Sequence, residues 1–401
     1  MSFSISWTDF LEKADAADFR EHFFLKKDDS KSINFSPAED SSGLSGGICH
    51  TFIEGDNYPA LKLLLSSYKE KIDFIYTDPP YNTGKKFTYN DNKKIDEWLS
   101  FMSRRLAAAK SLLKDSGCIF IAIGQEQVHV LKLLCDQIFG AENFVNDFMW
   151  LHGKGKKDSW SRTMQQSNLC YAKNKKKLKA FCDFEKTSWA DKNVDNDGRG
   201  NWFSGSISFD EKRSNEKNPN YYEIVSPGGK HWRRQWLVSK DEMARLIKDG
   251  KIYWGKAPDF SNVPRKKVFN GETVEIIPRN IVDCAESTRE AQNHLDLLLG
   301  EKKSFDNPKP VNLIQHFIQI ANMPKDITVM DFFAGSGSTL EAAVEQNLLD
   351  GGRRRCILVQ KPEKIEKPGK FKDIAELCLE RIRAVLKKTQ DDLECFHIEE
   401  K

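Results

Sequence analysis

The sequence predicts an α/β protein in which a parallel sheet, covered by helices on both faces, is interrupted once by a separate lobe. Three observations carry that prediction. Short apolar runs alternate with amphipathic, helix-like runs from about residue 48 to residue 150; the alternation then stops, and it resumes from about residue 300. The apolar runs are continuous and do not alternate with polar residues, which suits strands buried on both faces.

In chain order, Met1 to about Phe24 reads as a short helical segment, and the Ser/Asp/Lys/Gly-rich stretch Lys26–Gly47 as a polar linker, so that residues 1–47 form a first region. Residues 48–150 form the second. There "CHTFIEGDNYPALKLLL" restores order and "KIDFIYTD" is a strand. Ile95, Trp98, Leu99, Met102, Leu106, Ala109 and Leu113 make a helical stripe that Gly117 is expected to stop. "CIFIAIG" is a further strand and "QVHVLKLLCDQIFG" a further helix. Residues 151–299 are polar and Gly/Asn/Ser-rich, and they hold seven of the nine tryptophans if Trp150 is included. A long structureless loop would not concentrate tryptophan, so a separate lobe is expected. In residues 300–401, "NLIQHFIQIAN" reads as helix, "ITVMDFF" as strand, "AGSGS" as turn, "TLEAAVEQNLL" as helix and "RCILVQ" as strand.

Composition narrows the function classes. The net charge is +3 on 62 basic and 59 acidic residues, so attraction to a polyanion must come from local placement and not from the sum. No run of about 18 apolar residues and no charged-then-apolar leader is present, which predicts a cytoplasmic protein with no membrane partner. The nine cysteines include no Cys-x-x-Cys pair, and no His stands at zinc-ligand spacing, so reduced thiols and no metal site are expected.

Two stretches carry chemistry. In "DFIYTDPPYNTG" a buried strand ends in a carboxylate, Asp78, followed by the rigid corner Pro79-Pro80 and then Tyr81. In "VMDFFAGSGSTLEAA" a strand enters a small-residue turn and then a helix. Backbone N–H groups there face a ligand, and Gly335 and Gly337 allow close approach. A phosphate-binding P-loop would need a lysine in this turn, and a dinucleotide fingerprint would need a third glycine where Leu340 stands. Two readings remain at this point: a nucleoside cofactor with little or no phosphate, which S-adenosylmethionine fits best, or simply a tight turn.

Asp78-Pro79-Pro80-Tyr81 followed by Phe333-Ala334-Gly335-Ser336-Gly337, with a variable lobe between, resembles the circularly permuted beta class of DNA amino-methyltransferases. "EGDNYPALKLL", "DPPYNTGKKFTYND", "SFDNPKPVNLI", "CILVQKPE" and "IAELCLERIRAV" extend the resemblance to the modification (Mod) subunits of type III restriction-modification systems. The resemblance implies a Rossmann-like S-adenosylmethionine-dependent methyltransferase sheet, circularly permuted, with an inserted target recognition lobe. Residues 48–150 would be the catalytic half, 151–299 the target recognition domain and 300–401 the cofactor-binding half. It further implies site-specific transfer of a methyl group to the N6 amino group of a flipped adenine in double-stranded DNA, within a restriction-modification system. A homodimer and a restriction (Res-type) nuclease subunit would be the partners. Two alternatives stay open: methylation of cytosine N4, and a DNA-binding specificity subunit whose catalytic pocket is idle.

The chemistry explains the residues. An exocyclic amino nitrogen is a poor nucleophile because its lone pair is delocalised into the ring. Acceptors at the Asp78 carboxylate and the Pro79 carbonyl would take its two N–H groups and aim the lone pair. Pro79 and Pro80 would fix that backbone, and Tyr81 would stack on the flipped base. No cysteine follows a proline, which disfavours attack on a cytosine ring carbon. By resemblance, Asp331, Phe332, Phe333, Ala334, Gly335, Ser336 and Gly337 form the cofactor wall, and "FDNPKP" holds the amino-acid end of the cofactor. Lys309 is either a partner for the cofactor carboxylate or a solvated charge. Gln360 stands where an acid usually takes the ribose hydroxyls, and Gly124-Gln125-Glu126 replaces the family's acidic pair. Lys154, Lys156, Lys157, Arg162, Lys173, Lys175, Lys176, Lys177 and Lys179 face only one acid, Asp158, and read either as a phosphate-binding surface or as a solvated face. The interleaved Trp160, Trp189, Trp202, Trp232 and Trp236 suit either a DNA surface or the core of the lobe.

Overall fold

The computed structural model describes residues 22–35, 47–84, 93–152, 160–188, 193–195, 197–256, 262–365 and 369–401. They fall into two compact units, one of Met1–Cys182 with Pro278–Lys401 and one of Asp183–Ile277.

The first unit opens with β1 (Phe23–Lys27), β2 (Cys49–Glu54), α1 (Asn57–Tyr68), β3 (Ile72–Thr77), α2 (Ile95–Leu112), β4 (Leu113–Ile123), α3 (Val128–Phe139), β5 (Phe144–Asp147), β6 (Met149–Leu151) and β7 (Gln165–Ala172). The second unit holds β8 (Asp183–Lys186), β9 (Asn193–Val194), β10 (Asn201–Gly205), β11 (Tyr221–Val225), β12 (His231–Gln235), α4 (Lys240–Lys248), β13 (Ile252–Tyr253), β14 (Arg265–Phe269) and β15 (Thr273–Ile276). The first unit then resumes with β16 (Ile281–Val282), α5 (Thr288–Leu299), α6 (Val311–Ile320), β17 (Thr328–Asp331), α7 (Ser338–Asp350), β18 (Arg355–Gln360), α8 (Ile374–Thr389) and β19 (Asp392–Glu400).

The heart of the first unit is the run β19-β2-β18-β17-β3-β4, parallel throughout and edged by antiparallel β1 and β7. All six residues of β3 are buried, as the continuous apolar run predicts. Alternate side chains feed two cores. Phe74, Tyr76 and Phe120 meet α6, α7 and α8 on one face; Ile75, Ile119 and Ile121 meet α1, α2 and α3 on the other. On α2 the residues Trp98, Leu99, Met102, Leu106, Ala109 and Leu112 face that second core, whereas Ile95, in its first turn, is 45% exposed. All nine cysteines are free thiols, with Cys118 and Cys356 inside the core. Among the described residues, no helix is long and apolar enough to cross a membrane.

The structure departs from the sequence reading in four places. Phe23–Lys27 is an edge strand paired with β19 and not helix or linker, while the expected helix over residues 1–21 and linker residues 36–46 lie outside the described residues. Gly117 does not stop α2, because the chain passes from Leu112 straight into β4. A Cβ at Gly117 would lie 2.8 Å from the Asp73 carbonyl oxygen, so glycine here admits the neighbouring strand. The second unit is shorter than residues 151–299. Gln165–Ala172 joins the main sheet, and α5, closed by a Ser287–Glu290 capping box, belongs to the first unit. Finally, α8 and β19 complete the sheet beyond the last expected strand.

The second unit has a four-stranded sheet β13-β14-β10-β9 and the two-stranded pairs β11-β12 and β8-β15. Ile207, Ile224, Trp236, Met243, Leu246 and Ile252 form one of its cores. Trp202 and Trp236 are buried, Trp232 packs against the core, and Trp189 lies outside the described residues. Trp160, in the first unit, is 95% exposed.

Candidate active site

Neighbouring parallel strands end side by side, and their carboxyl ends deliver polar side chains to one place: Asp56 beyond β2, Gln360 on β18, Asp331 on β17 and Asp78 beyond β3. All four line a single cavity of about 1260 Å³ within the first unit. Pro80, Tyr81, Lys309 and the loop residues Phe332, Phe333, Ala334, Gly335 and Ser336 line it as well, so the two motifs, some 250 residues apart in sequence, share one site.

On one side of the cavity, the Tyr81 hydroxyl donates to Asp78 Oδ1 at 2.6 Å and Lys309 Nζ donates to Asp78 Oδ2 at 2.7 Å. Gln166 Nε2 donates to the Tyr81 hydroxyl, and Lys309 Nζ stands 5.3 Å from the Tyr81 ring centroid. Lys309 is therefore not the solvated charge of one sequence reading; its side chain is 11% exposed and is bonded to the carboxylate. The Pro79-Pro80 corner is pinned by Trp98, whose indole N–H donates to the Pro80 carbonyl at 2.9 Å. Asn82 holds a left-handed conformation (φ 57°), and its side-chain oxygen accepts the Lys93 N–H at 2.7 Å. Gly124, Gln125 and Glu126 line the same cavity, with Gln125 Nε2 donating to Thr163 Oγ1 at 3.0 Å.

On the other side lies the glycine turn. Gly335 (φ +55°) and Gly337 (φ +85°) are left-handed, and a Cβ on them would come within 3.3 Å of the Phe305 ring and 3.2 Å of Cys378 Sγ. Gln360 Oε1 accepts the Gly335 N–H at 2.7 Å, so Gln360 braces the loop. Asp331 is buried and accepts from Thr339 Oγ1 at 2.6 Å and from the Phe333 N–H at 3.0 Å. Burial outweighs those two bonds and raises its carboxyl to about 7. Behind the loop, Arg381 donates to Ser336 Oγ and Ser338 Oγ, each at 2.9 Å, and to Glu341 Oε2 at 2.7 Å. His294 Nε2 lies 2.7 Å from Glu341 Oε1. Ser338 Oγ in turn donates to the Lys309 carbonyl at 2.9 Å, tying this loop to the segment that carries Lys309.

Sequence reasoning missed Asp56, Asn57, Arg105 and Arg381. Asp56 caps α1 through the Tyr58 N–H at 2.9 Å and accepts from Arg105 Nη2 at 2.9 Å; Asn57 Nδ2 donates to the Phe332 carbonyl at 2.6 Å. Arg105 also lies 3.6 Å from the Phe101 ring centroid. One signal was available: "TFIEGD" puts an acid just beyond the carboxyl end of an apolar strand, as "IYTD" does with Asp78.

The basic block divides. Lys154, Lys156 and Lys157 lie outside the described residues. Arg162 is exposed and adjoins Thr163, Gln165 and Gln166, which line the cavity. Lys175, Lys176 and Lys177 follow the opposite end of β7, roughly 24 Å along an eight-residue strand. Lys177 pairs there with Asp115 at 2.6 Å, and Lys175 Nζ donates to the Phe144 carbonyl at 2.6 Å. β7 is antiparallel to β4, so its two ends face opposite edges of the sheet, and the structure does not bring these lysines to the cavity.

The residues suit a nucleoside with little phosphate, because the glycine turn carries no lysine or arginine of its own and the lining cations Lys309 and Arg105 are already paired with Asp78 and Asp56.

The DNA methylase family profile matches residues 72–391. The type III restriction-modification enzyme EcoPI Mod subunit of Escherichia phage P1 is 34% identical, covering 84% of this chain and 62% of its own length. The StyLTI Mod subunit of Salmonella typhimurium is 31% identical, covering 84% of this chain and 57% of its own. The type II methyltransferase M.KpnI of Klebsiella pneumoniae is 30% identical, covering 88% of this chain and 89% of its own. The chain thus spans 62% and 57% of the lengths of these two Mod subunits.

Proposed function

This chain belongs to the DNA methylase family, and we propose that it transfers a methyl group from S-adenosylmethionine to the N6 amino group of an adenine flipped out of double-stranded DNA. The observation that carries this reading is the cavity lined together by Asp78, Pro80 and Tyr81 and by the Asp331–Ser336 turn, with Pro79 buried behind it. The cofactor supplies an electrophilic methyl on a sulfonium. When bound, the cofactor would give up its methyl to the nitrogen as the carbon–sulfur bond breaks with its electron pair staying on sulfur, and the proton shed by the nitrogen would pass by way of the Asp78 carboxylate to solvent.

The residues of the chain prepare the nucleophile. Asp78 is the acceptor for one N–H of the base, replacing a bond it now makes to Tyr81 or Lys309, and the Pro79 carbonyl is the second acceptor. Lys309, released from Asp78, is placed to meet the cofactor carboxylate. Tyr81 packs on the base, its hydroxyl steadied by Gln166. The Trp98 bond holds the backbone of the Pro-Pro corner in place as the base enters.

The unit Asp183–Ile277 is the proposed target recognition lobe. Supporting this, it carries an open cleft of about 840 Å³ in which, among the described residues, Arg213, Arg234, Lys256 and Arg265 accompany a single acid, Asp210. Since the type III relatives are named as subunits, a restriction nuclease is the proposed partner, along with a second copy of this chain. The test is incubation of the purified protein with unmodified genomic DNA and S-adenosylmethionine, followed by sequencing with modified-base detection. N6-methyladenine in one sequence context is expected; methylcytosine or no modified base overturns the reading.

The exposure of Arg162 just before the cavity-side end of β7 supports it as a phosphate contact. Arg162→Ala should weaken DNA binding and reduce the slope of log affinity against log salt by about one, whereas alanine at Lys175, Lys176 and Lys177 should leave that slope unchanged. Fluorescence anisotropy over a salt series distinguishes them. The reverse pattern would put the DNA on the opposite edge of the sheet.

A further inference from the structure

One residue that lines the cavity, Tyr76, buries a hydroxyl that has no partner among the described residues. Tyr76 is 1% exposed, its ring lies 6.2 Å from that of Phe317, and its hydroxyl makes no hydrogen bond among the described residues. A buried hydroxyl without a partner costs folding free energy, and such a group in a cavity wall points to a ligand.

Its position says which part of the ligand. Tyr76 lies on β3 two residues before Asp78, which follows the end of the strand, so the strand's alternation carried on to Asp78 puts both side chains on one face. The parallel register pairs Val329 with Phe74 and Met330 with Ile75, and its continuation sets Asp331 beside Tyr76. Tyr76 therefore stands between the carboxylate of the base side and the carboxylate that opens the glycine turn. Neither carboxylate uses it: Asp78 is bonded by Tyr81 and Lys309, and Asp331 by Thr339 and the Phe333 N–H. Burial first, then the charges of Asp78 and Asp331, push the ionisation of the phenol well up, so it remains a neutral hydroxyl with lone pairs to offer. With both neighbouring carboxylates already engaged, the hydroxyl oxygen is the group left to offer its lone pairs to a positive charge on a ligand.

We propose that the Tyr76 hydroxyl oxygen contacts the positively charged sulfonium end of S-adenosylmethionine, making the site selective for the charged cofactor over the neutral thioether left after transfer. The assignment rests on the methyltransferase reading above. It gives the site a reason to release its product: the contact that favours the sulfonium has no counterpart once the charge is gone.

The test is calorimetric titration of the full chain and its Tyr76→Phe variant with S-adenosylmethionine and, separately, S-adenosylhomocysteine. Tyr76→Phe should bind S-adenosylmethionine about two- to tenfold more weakly and S-adenosylhomocysteine within about twofold of the parent. Its thermal unfolding should be unchanged or higher, because phenylalanine removes an unpartnered hydroxyl. Unchanged affinity for S-adenosylmethionine, or an equal loss for both ligands, overturns the assignment. A parent protein that binds neither ligand overturns the methyltransferase reading and the assignment with it.

Discussion

Asp78→Ala is expected to slow single-turnover methyl transfer by about a hundred- to a thousandfold, with cofactor and DNA affinities close to parental. Truncation removes the acceptor that orients the target amino group, while the glycine turn, braced by Gln360 and Arg381, keeps its own bonds. It also frees Lys309, whose ammonium is mostly buried and now pairs with Asp78 at 2.7 Å. Part of the alanine effect could therefore come from an unpaired cation facing the base. Asp78→Asn separates the two contributions: the amide oxygen keeps an acceptor and nearly the same shape but carries no charge for Lys309. If the acceptor is what matters, the asparagine variant recovers a large part of the rate; if the charge balance with Lys309 dominates, it is as slow as the alanine variant. Single-turnover transfer measured beside a DNA titration decides the main point. A near-parental rate for Asp78→Ala, or a loss that follows DNA dissociation alone, would mean that Asp78 does not orient the amino group.

The parts of the fold legible in the sequence were those whose burial is complete. β3 and the Cys118–Ile123 portion of β4 are buried on both faces, and a continuous apolar run has few other readings. The edge elements were hidden for the complementary reason. β1 and β19 pair with each other as "FFLKK" and "DLECFHIEE", whose lysines and glutamates form cross-strand ion pairs such as Lys26–Glu399 and Lys27–Glu394; their strand character lies in the pairing and not in their hydropathy. β7 misled in the other direction. "QQSNLCYA" opens with four polar residues, yet Gln166, Ser167 and Asn168 are buried; Asp147 accepts from Ser167 Oγ and the Asn168 N–H, and the Phe148 carbonyl accepts from Asn168 Nδ2.

The candidate site divides along the same line. Asp78 with its prolines and tyrosine, and the glycine turn, are local motifs whose geometry follows from adjacent residues. The groups that tune them are remote: Lys309 reaches Asp78 across 231 positions, Arg105 reaches Asp56 across 49, and Arg381 reaches Ser336 across 45. A sequence displays the charge of such residues and not their partners. For the same reason the lysine block was legible as charge but not as an edge of the sheet, since that depends on β7 running antiparallel to β4.

Arg381→Met is expected to destabilise the folded chain by about 3–5 kcal/mol at neutral pH, because it leaves a buried carboxylate without its cation. Arg381 and Glu341 are each 1% exposed and 2.7 Å apart. Burial would raise the Glu341 carboxyl, but the His294 hydrogen bond and the Arg381 charge prevail and hold it at about 2. A depressed carboxylate contributes stability that is present above its unfolded value of about 4.3 and is lost as pH falls through about 2. Without Arg381 the burial contribution gains weight, the carboxyl of Glu341 rises, and protonation becomes the cheaper way to keep it inside. The deficit of the variant should therefore be largest near pH 7 and shrink toward pH 4, where the parent still has Glu341 ionised. Pairing the substitution with Glu341→Leu should restore most of the stability, since a well-packed apolar pair often matches a buried ion pair. It should not restore cofactor affinity, because Ser336 and Ser338 would still lack the donor that fixes the turn. Thermal unfolding at the two pH values, with calorimetry on the double variant, tests both claims. A deficit independent of pH would show that Glu341 is not the source of the instability, and parental cofactor binding in the double variant would show that the turn holds its shape without Arg381.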